Sequence, residues 1–465
     1  MTQKGNVETP GELAIPAVAD PARPASPFLK RIWSLGSRAA TKLRNGEGKA
    51  VEVLHLAQAL LSERGEVSGA RVGAELLAAY RNLSLSGRET FFDLLADSFI
   101  PDPDQVALAA EAYHRSPSST TLARLHAATE PMRQELFRRL NLAEGGTAAL
   151  IEMRRDLLKT LRAHPDRSGI DSDLQHLFRS WFNGGFLVLR RIDWRTSAVV
   201  LERLIQYEAV HQIQGWDDLR RRLEADRRCY AFFHPALPEE PLIFIEAALT
   251  ERLSSTVRPL LDPKAEVLDP KLARCAIFYS ITQCQEGLRG VSFGSLLIKR
   301  VVEDLRRSFP KVKTFATLSP IPDFRKWLVE TANGDAGSAD GRVGDFLARV
   351  DSGDIAPTGS SPADIKDELV RLCAYYLTHG RKGTLPYDPV ARFHLANGAR
   401  LDRLNWLADV SEAGIRRSFG VMANYVYDLD DLERNHEAYA REYHVVASRD
   451  IERLARQSIL AARPA

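Results

Sequence analysis

The run KVKTFATLS, residues 311–319, ends on a serine with Pro320 directly after it and Pro322 two residues further on. Proline disfavours the helical region for the residue before it, so Ser319 is expected to be extended. Neither proline has an N–H to donate, so no ladder or helix continues through them. On a strand, Val312, Thr314, Ala316 and Leu318 share one face, and Lys313, Phe315, Thr317 and Ser319 share the other. A hydroxyl on a stiff strand end suits a catalytic group, and Ser-Pro is also ordinary turn chemistry. The second candidate is His394 in VARFHLANGARLDRLNW, whose imidazole can exchange a proton near neutral pH. It precedes Asn397-Gly398, which reads as a tight turn between two β-like runs and so puts His394 near a strand end as well.

A third group of residues could hold an anion. The loop QEGLRGVSFGS, Gln285 to Ser295, is expected between a strand and a helix. Gly290 and Gly294 permit close backbone approach, and the following helix offers unpaired N–H groups at its positive end. Arg289, Lys299 and Arg300 add local positive charge. The pattern suits a pyrophosphate cradle and equally a glycine-rich turn beside a solvated basic face. GVSFG also matches GxSxG, with Ser292 at its centre. A nucleophile elbow needs its serine directly between strand and helix, but QCQEGLRG intervenes, so the match is read as chance. His436 and Glu437 in HEAYA begin like a zinc-protease motif, but Ala440 stands where the second histidine is required.

The scaffold for these groups falls into two halves. From Lys49 to Asn183, runs such as KAVEVLHLAQALLSERG and TAALIEMRRDLLKTLRAH repeat apolar residues three and four apart, which predicts a helical bundle. Ser86 and Glu89 are spaced as a capping box. After GGFLVLRRIDW the pattern alternates. SAVVLERLIQYEAV and GWDDLRRRLEADRRC read as helices, YAFFHPALPEEPLIFIEAALT as two strands about a turn, and RCAIFYSIT as a buried strand. SLLIKRVVEDLRRSF is an amphipathic helix with Leu297, Val301 and Leu305 inward, and KVKTFATLS is the next strand. Strand, loop, helix, strand is a parallel crossover unit. NGDAGSADGR is expected to be an exposed insertion, and GSSPADIKDELVRLCAYYL to begin a further helix. The expected organisation is a disordered leader over 1–27, a helical bundle over 28–184 and a catalytic domain over 185–465.

Composition bounds the function classes. The chain has 465 residues, 45% hydrophobic and 27% charged, enough apolar material for a real core. A net charge of +2 gives no case for nucleic acid as a bulk partner. Cys229, Cys275, Cys284 and Cys373 form no CxxC, which points away from zinc or a disulfide framework and toward a reducing compartment, the cytoplasm. The leader lacks a continuous apolar core, so no secretory signal is read there, although Pro21 to Gly46 carries basic residues and no acids. No apolar stretch is long enough for a membrane span.

Four segments in order, FYSIT, GLRGVSFGSLLIKRVVEDL, TLSPIPDFRKWL and HLANGARLDRLNWLADVS…GVMANYVYDL, resemble the malonyl-CoA decarboxylase family, and the helical half resembles that family's N-terminal domain. The resemblance implies a multidomain α and α+β protein, an all-helical bundle followed by a GNAT-like acyl-CoA-binding α/β catalytic domain. It implies malonyl-CoA as substrate, acetyl-CoA and CO2 as products, and a homo-oligomer. On it, Ser319 is the catalytic proton acceptor and His394 the proton donor. Arg289, Gly290, Val291, Ser292, Phe293, Gly294 and Ser295 hold the CoA portion, and Ser280 and Tyr427 match further active-site positions. Family members often carry an acid where this chain has Ser292. No cofactor is expected, since coenzyme A is part of the substrate and its thioester is the electron sink for decarboxylation. A CoA-dependent acyltransferase and a regulatory CoA-binding module are the rival readings.

Overall fold

The computed structural model describes residues 48–62, 65–293, 297–333, 340–350 and 363–461. The leader, the basic run, Gly294 and Ser295 lie outside the described residues. The chain divides into two compact units, 1–146 and 147–465.

The first unit is helical: α1 (Gly48–Ser62), α2 (Glu66–Arg81), α3 (Leu85–Ser98), α4 (Pro103–Arg115), α5 (Ser119–Thr129) and α6 (Met132–Asn141). On α1 the spacing of Val53, Leu54, Ala57, Leu60 and Leu61 makes one apolar face, and all five are buried. The capping box expected at Ser86 and Glu89 does not form. Ser84 caps α3 instead, accepting from Gly87 N at 3.1 Å, and Ser86 lies inside the first turn. A Cβ at Gly87 would meet the capping Ser84 Oγ at 3.3 Å, so glycine there leaves the cap room.

The second unit opens with α7 (Gly146–Thr160), α8 (Ser168–Trp181), β1 (Val188–Ile192), α9 (Ala198–Tyr207), α10 (Trp216–Arg222), β2 (Arg227–Phe233) and β3 (Ile243–Thr250). It continues with α11 (Arg258–Leu261), β4 (Cys275–Gln283), α12 (Leu297–Ser308), β5 (Thr314–Thr317), β6 (Ser319–Pro320), α13 (Phe324–Ala332), α14 (Asp340–Arg349) and α15 (Ala363–His379). It closes with β7 (Arg381–Lys382), β8 (Leu385–Pro386), α16 (Pro389–Ala396), β9 (Arg400–Asn405), α17 (Glu412–Ser418), β10 (Met422–Val426), α18 (Leu432–Glu442) and α19 (Arg449–Arg456).

Two expectations shift. The helix from Trp216 stops at Arg222, because the alternating run from Arg227 is drawn into β2, paired with both β1 and β3. In NGDAGSADGR, Asp340 already belongs to α14, while residues 334–339 lie outside the described residues.

An eight-stranded sheet runs β1-β2-β3-β4-β5-β10-β6, with β9 paired to β10. The expected crossover is present: β4 and β5 are parallel, joined through α12, whose Leu297, Val301 and Leu305 are buried. That pairing covers only Cys275–Phe278 against Thr314–Thr317 and ends with Leu318 N donating to Phe278 O at 2.9 Å. Beyond it the strands part. β4 runs on beside β3 to Gln283, while Ser319 and Pro320 pair with Ala423 and Met422 of β10. Pro320, with no N–H, stops β5 from following β4. The register of β4 against β3 also slips at Tyr279, with Ala247 opposite Phe278 and Glu246 opposite Ser280. Such a bulge re-aims the side chains that follow.

Candidate active site

Ser319 stands where β4 and β5 diverge, extended and buried. Its neighbours fall as the alternation predicts. Ala316 and Leu318 join an apolar cluster with Ile277, Tyr279 and Met422, and Ser319 shares the opposite face with Thr317. Ser319 Oγ donates to Thr317 Oγ1 at 2.8 Å, and Thr317 Oγ1 also accepts from Tyr425 N at 3.1 Å.

His394 reaches the same point from a helix, which corrects the expected strand and hairpin. Asp388 caps α16 by accepting from Ala391 N at 2.8 Å, and Pro389 supplies the preset first turn. Asn397-Gly398 is therefore a helix C-terminus. Gly398 has φ +80°, and a Cβ there would meet Leu432 O at 2.2 Å, so only glycine fits. His394 sits in the last turn, buried, with Tyr425 stacked on its ring at 4.6 Å.

His394 Nε2 lies 2.9 Å from Ser319 Oγ, and Nδ1 lies 2.8 Å from Tyr427 Oη. Burial holds the Tyr427 phenol well above its usual pKa, so it keeps its hydrogen. Burial also pushes the His394 pKa down to about 3, so the imidazole is neutral. With Ser319 donating to Thr317, one arrangement gives the hydrogens of Tyr427, His394 and Ser319 each an acceptor. Tyr427 donates to Nδ1, and Nε2–H donates to Ser319 Oγ. The result is a directed chain, Tyr427 to His394 to Ser319 to Thr317, inside the fold.

A cavity of about 260 Å³ lies along the helix that carries His394, and Tyr427, His394, Ser319 and Thr317 do not line it. Ile243, Ile281 and Gln283 line one wall, Val291, Ser292 and Phe293 the loop side, and Phe393, Ala396 and Asn397 the helix of His394. The glycine loop thus meets the helix that carries the histidine. Gly290 has φ +79°. Gly287, which sequence reasoning passed over, makes the closest approach: a Cβ there would meet Ile151 O at 2.0 Å, and its carbonyl accepts from Arg154 at 2.7 Å. Arg289 is exposed. Lys299 pairs with Glu433 at 2.7 Å, and Arg300 donates to Leu187 O at 2.9 Å, so both are engaged away from the loop. Ser292 is in the loop, well apart from a strand-to-helix elbow. His436 bonds Ala396 O at 2.8 Å.

Ser280 is not brought to this group. Its hydroxyl donates to buried Glu208 at 2.7 Å, while the next residue, Ile281, lines the cavity. Three contributors went unassigned in the sequence: Thr317, Tyr425 and Asp388. Thr317 shares a face with Ser319, and Tyr425 shares one with Tyr427, so period-two alternation was the available signal. Among the described residues, no group of three or more His, Cys, Asp and Glu side chains is placed to hold a metal.

The model of the malonyl-CoA decarboxylase C-terminal domain matches residues 185–463. The chain belongs to the malonyl-CoA decarboxylase family. That family's N-terminal domain matches residues 99–182. The mitochondrial malonyl-CoA decarboxylase of Anser anser anser is 34% identical, with 90% of this chain and 91% of the relative covered. The mitochondrial enzyme of Mus musculus is 34% identical over 83% of this chain and 85% of its own. The crystal structure of malonyl-CoA decarboxylase from Rhodopseudomonas palustris superposes with a TM-score of 0.82 at 46% identity, covering 87% of this chain and 99% of that one. The Agrobacterium vitis structure gives 0.80 at 45%, with the same coverage.

Proposed function

We propose that the chain converts malonyl-CoA to acetyl-CoA and CO2 at Ser319 and His394. The observation that carries this is the buried 2.9 Å contact between them, with His394 on a helix whose Phe393, Ala396 and Asn397 line the cavity beside the glycine loop. Loss of CO2 sends the electron pair of the C–C bond into the thioester, leaving an enolate that must gain one proton at C2. The site then has two tasks, stabilising the enolate oxygen and delivering that proton.

In the free site the imidazole is neutral. An anionic substrate carboxylate beside it favours the charged form, so His394 takes up a proton together with the substrate. Ser319 Oγ–H turns from Thr317 to the thioester oxygen, where a fixed donor is worth about 3–4 kcal/mol as charge develops. After CO2 leaves, Nε2 gives its proton to C2, which leaves neutral His394 with its hydrogen on Nδ1; the resting Nε2–H form is restored by proton exchange with solvent once product departs. One proton is consumed per turnover, as the reaction requires. While Nδ1 carries a hydrogen, the Tyr427 hydroxyl rotates to accept it, so the same contact holds the ring in either protonation state. Coenzyme A serves as the handle, with the loop from Arg289 through Phe293 beside the cavity and the parting of β4 from β5 supporting a GNAT-like path for it. Ser280, held by Glu208, is read as shaping the β4 bulge. The four cysteines are buried and free, which suits a reducing compartment.

The test is purified protein with malonyl-CoA alone, following acetyl-CoA, with Ser319→Ala and His394→Ala alongside. Product from the wild type and loss in both folded variants is expected. Binding without product would move the reading to a CoA-binding module, or to an acyltransferase lacking its acceptor.

A further inference from the structure

Thr317 accepts the Ser319 hydroxyl at 2.8 Å, and what holds Thr317 in that role comes from β10. Val426 lies opposite Ala316, and Tyr427 N donates to Phe315 O at 2.8 Å. Continued as a regular antiparallel ladder, this register would send Tyr425 N to Thr317 O. The bond goes elsewhere. Tyr425 N donates to Thr317 Oγ1 at 3.1 Å, and Thr317 O accepts from the side chain of Asn424, Nδ2, at 2.6 Å. Two residues on, the strands pair again through Ala423 and Ser319.

Asn424 is fully buried, and its partners fix which way its amide points. Thr317 O can only accept and Arg403 Nε can only donate, so Nδ2 faces the threonine and Oδ1 faces the arginine at 3.1 Å. Oδ1 also accepts from Asn405 Nδ2 at 2.8 Å, and Nδ2 reaches Ser254 O at 3.4 Å. Arg403 donates to Ser254 O at 3.0 Å, which anchors the far end of the amide in turn.

The result is an exchange of partners. By taking the Thr317 carbonyl, Asn424 diverts the Tyr425 amide to the Thr317 hydroxyl oxygen. A threonine without that bond would be free to choose another staggered rotamer. Tied to the strand amide, it gives Ser319 Oγ a fixed acceptor on one side, with His394 Nε2 on the other. Tyr425 thereby serves both members of the pair, since its ring stacks on His394 at 4.6 Å.

We infer that Asn424 is a positioning residue for Ser319, acting through Thr317 by displacing one hydrogen bond of the β5–β10 ladder. Its kinetic consequence rests on the malonyl-CoA reading above.

The experiment compares Asn424→Ala, Asn424→Asp, Thr317→Val and the double variant Thr317→Val with Asn424→Ala. Acetyl-CoA formation from malonyl-CoA and deuterium exchange of the Tyr425 amide are both followed. Asn424→Asp, kept charged by Arg403, retains an acceptor for Arg403 and Asn405 but offers Thr317 O no donor. Both Asn424 variants are expected to lower kcat about ten-fold with KM within about two-fold. A residue that served only to hold Arg403 and Asn405 would leave the aspartate variant at the wild-type rate. Thr317→Val should lose about as much, and the double variant should lie within about two-fold of it. Apart from turnover, the Tyr425 amide should exchange faster in Thr317→Val, where its acceptor is gone. Its protection should return when Asn424→Ala frees the carbonyl.

Thr317→Val changes only a hydroxyl to a methyl, which keeps the test open if an Asn424 variant does not fold. Wild-type kcat in Asn424→Asp or Thr317→Val, fully multiplicative losses in the double variant, or exchange that the second substitution does not slow would each overturn the inference. A wild type that makes no acetyl-CoA while the exchange pattern holds would instead sink the decarboxylase reading and leave the role of Asn424 in the ladder standing.

Discussion

Tyr427 and His394 meet at 2.8 Å, hydroxyl to Nδ1, and this contact decides which imidazole nitrogen carries the hydrogen. Because the buried phenol stays protonated, Nδ1 is left to accept and Nε2 faces Ser319 with its hydrogen. Tyr427 thereby acts on the chemistry through another residue.

Replacing it tests that. Tyr427→Phe keeps the ring packed on Phe278 but frees the tautomer. We expect kcat to fall about ten-fold or more with KM little changed, the pattern for an interaction made in the transition state. Nitrogen-15 shifts of His394 should report a mixed tautomer. A variant with wild-type rate and an unchanged tautomer would remove Tyr427 from the site.

Ser319 and His394 should behave as a unit. Ser319→Ala and His394→Gln are each expected to lower kcat about 100- to 1000-fold. The double variant should lose little more than the worse single one, because either change breaks the same chain. Fully multiplicative losses in steady-state kinetics would mean that the two act independently.

Asp388 locates the histidine. Its carboxyl caps α16 and also accepts from Tyr376 Oη at 3.2 Å, and burial pushes its pKa up to about 6. Asp388→Asn keeps a capping acceptor and should retain most activity. Asp388→Leu should cost about 1–2 kcal/mol in urea denaturation and displace His394, lowering kcat. Equal activity in the two variants would show that the cap does not position the imidazole.

Acid stability carries the signature of the buried imidazole. The His394 pKa falls from 6.5 to about 3 on folding, so between those values the unfolded chain binds the extra proton. Its contribution is complete above pH 6.5 and is lost as pH drops toward 3. In His394→Gln that contribution cannot titrate. The stability gap between wild type and variant should shrink by roughly 2 kcal/mol from pH 7 to pH 5, read by urea denaturation at each pH. A constant gap would mean that the imidazole is not held neutral.

Gly287→Ala should disturb the loop without touching the acid–base pair. Its new methyl would meet Ile151 O, costing about 1–3 kcal/mol in thermal unfolding and weakening CoA binding. Unchanged affinity in a calorimetric titration would separate this loop from the ligand.

Much of this was legible in the sequence. Ser319 could be placed because proline chemistry and period-two alternation are local rules, and both hold between Thr317 and Pro320. The crossover from β4 through α12 to β5 followed from pattern alone. His394 was found, but on the wrong element: Asn-Gly ends a helix as readily as it turns a hairpin, and the deciding signal, Asp388-Pro389 six residues upstream, is a helix start. Ser280 was drawn to the site by resemblance, whereas its partner, Glu208, is 72 residues away in sequence. No local rule reports a contact at that separation, and the same is true of the 75 residues between Ser319 and His394.

The parting of β4 from β5 leaves the sheet with a margin in its interior. Past Phe278, β4 is laddered on one side only, although it lies mid-sheet. Among the described residues, main-chain groups of Tyr279–Gln283 on that side are paired with no strand, so the amides that face it should exchange with deuterium faster than those bonded to β3. A ligand arm lying along that gap would slow the exchange, which makes the backbone itself a reporter of occupancy, readable in a catalytically dead variant.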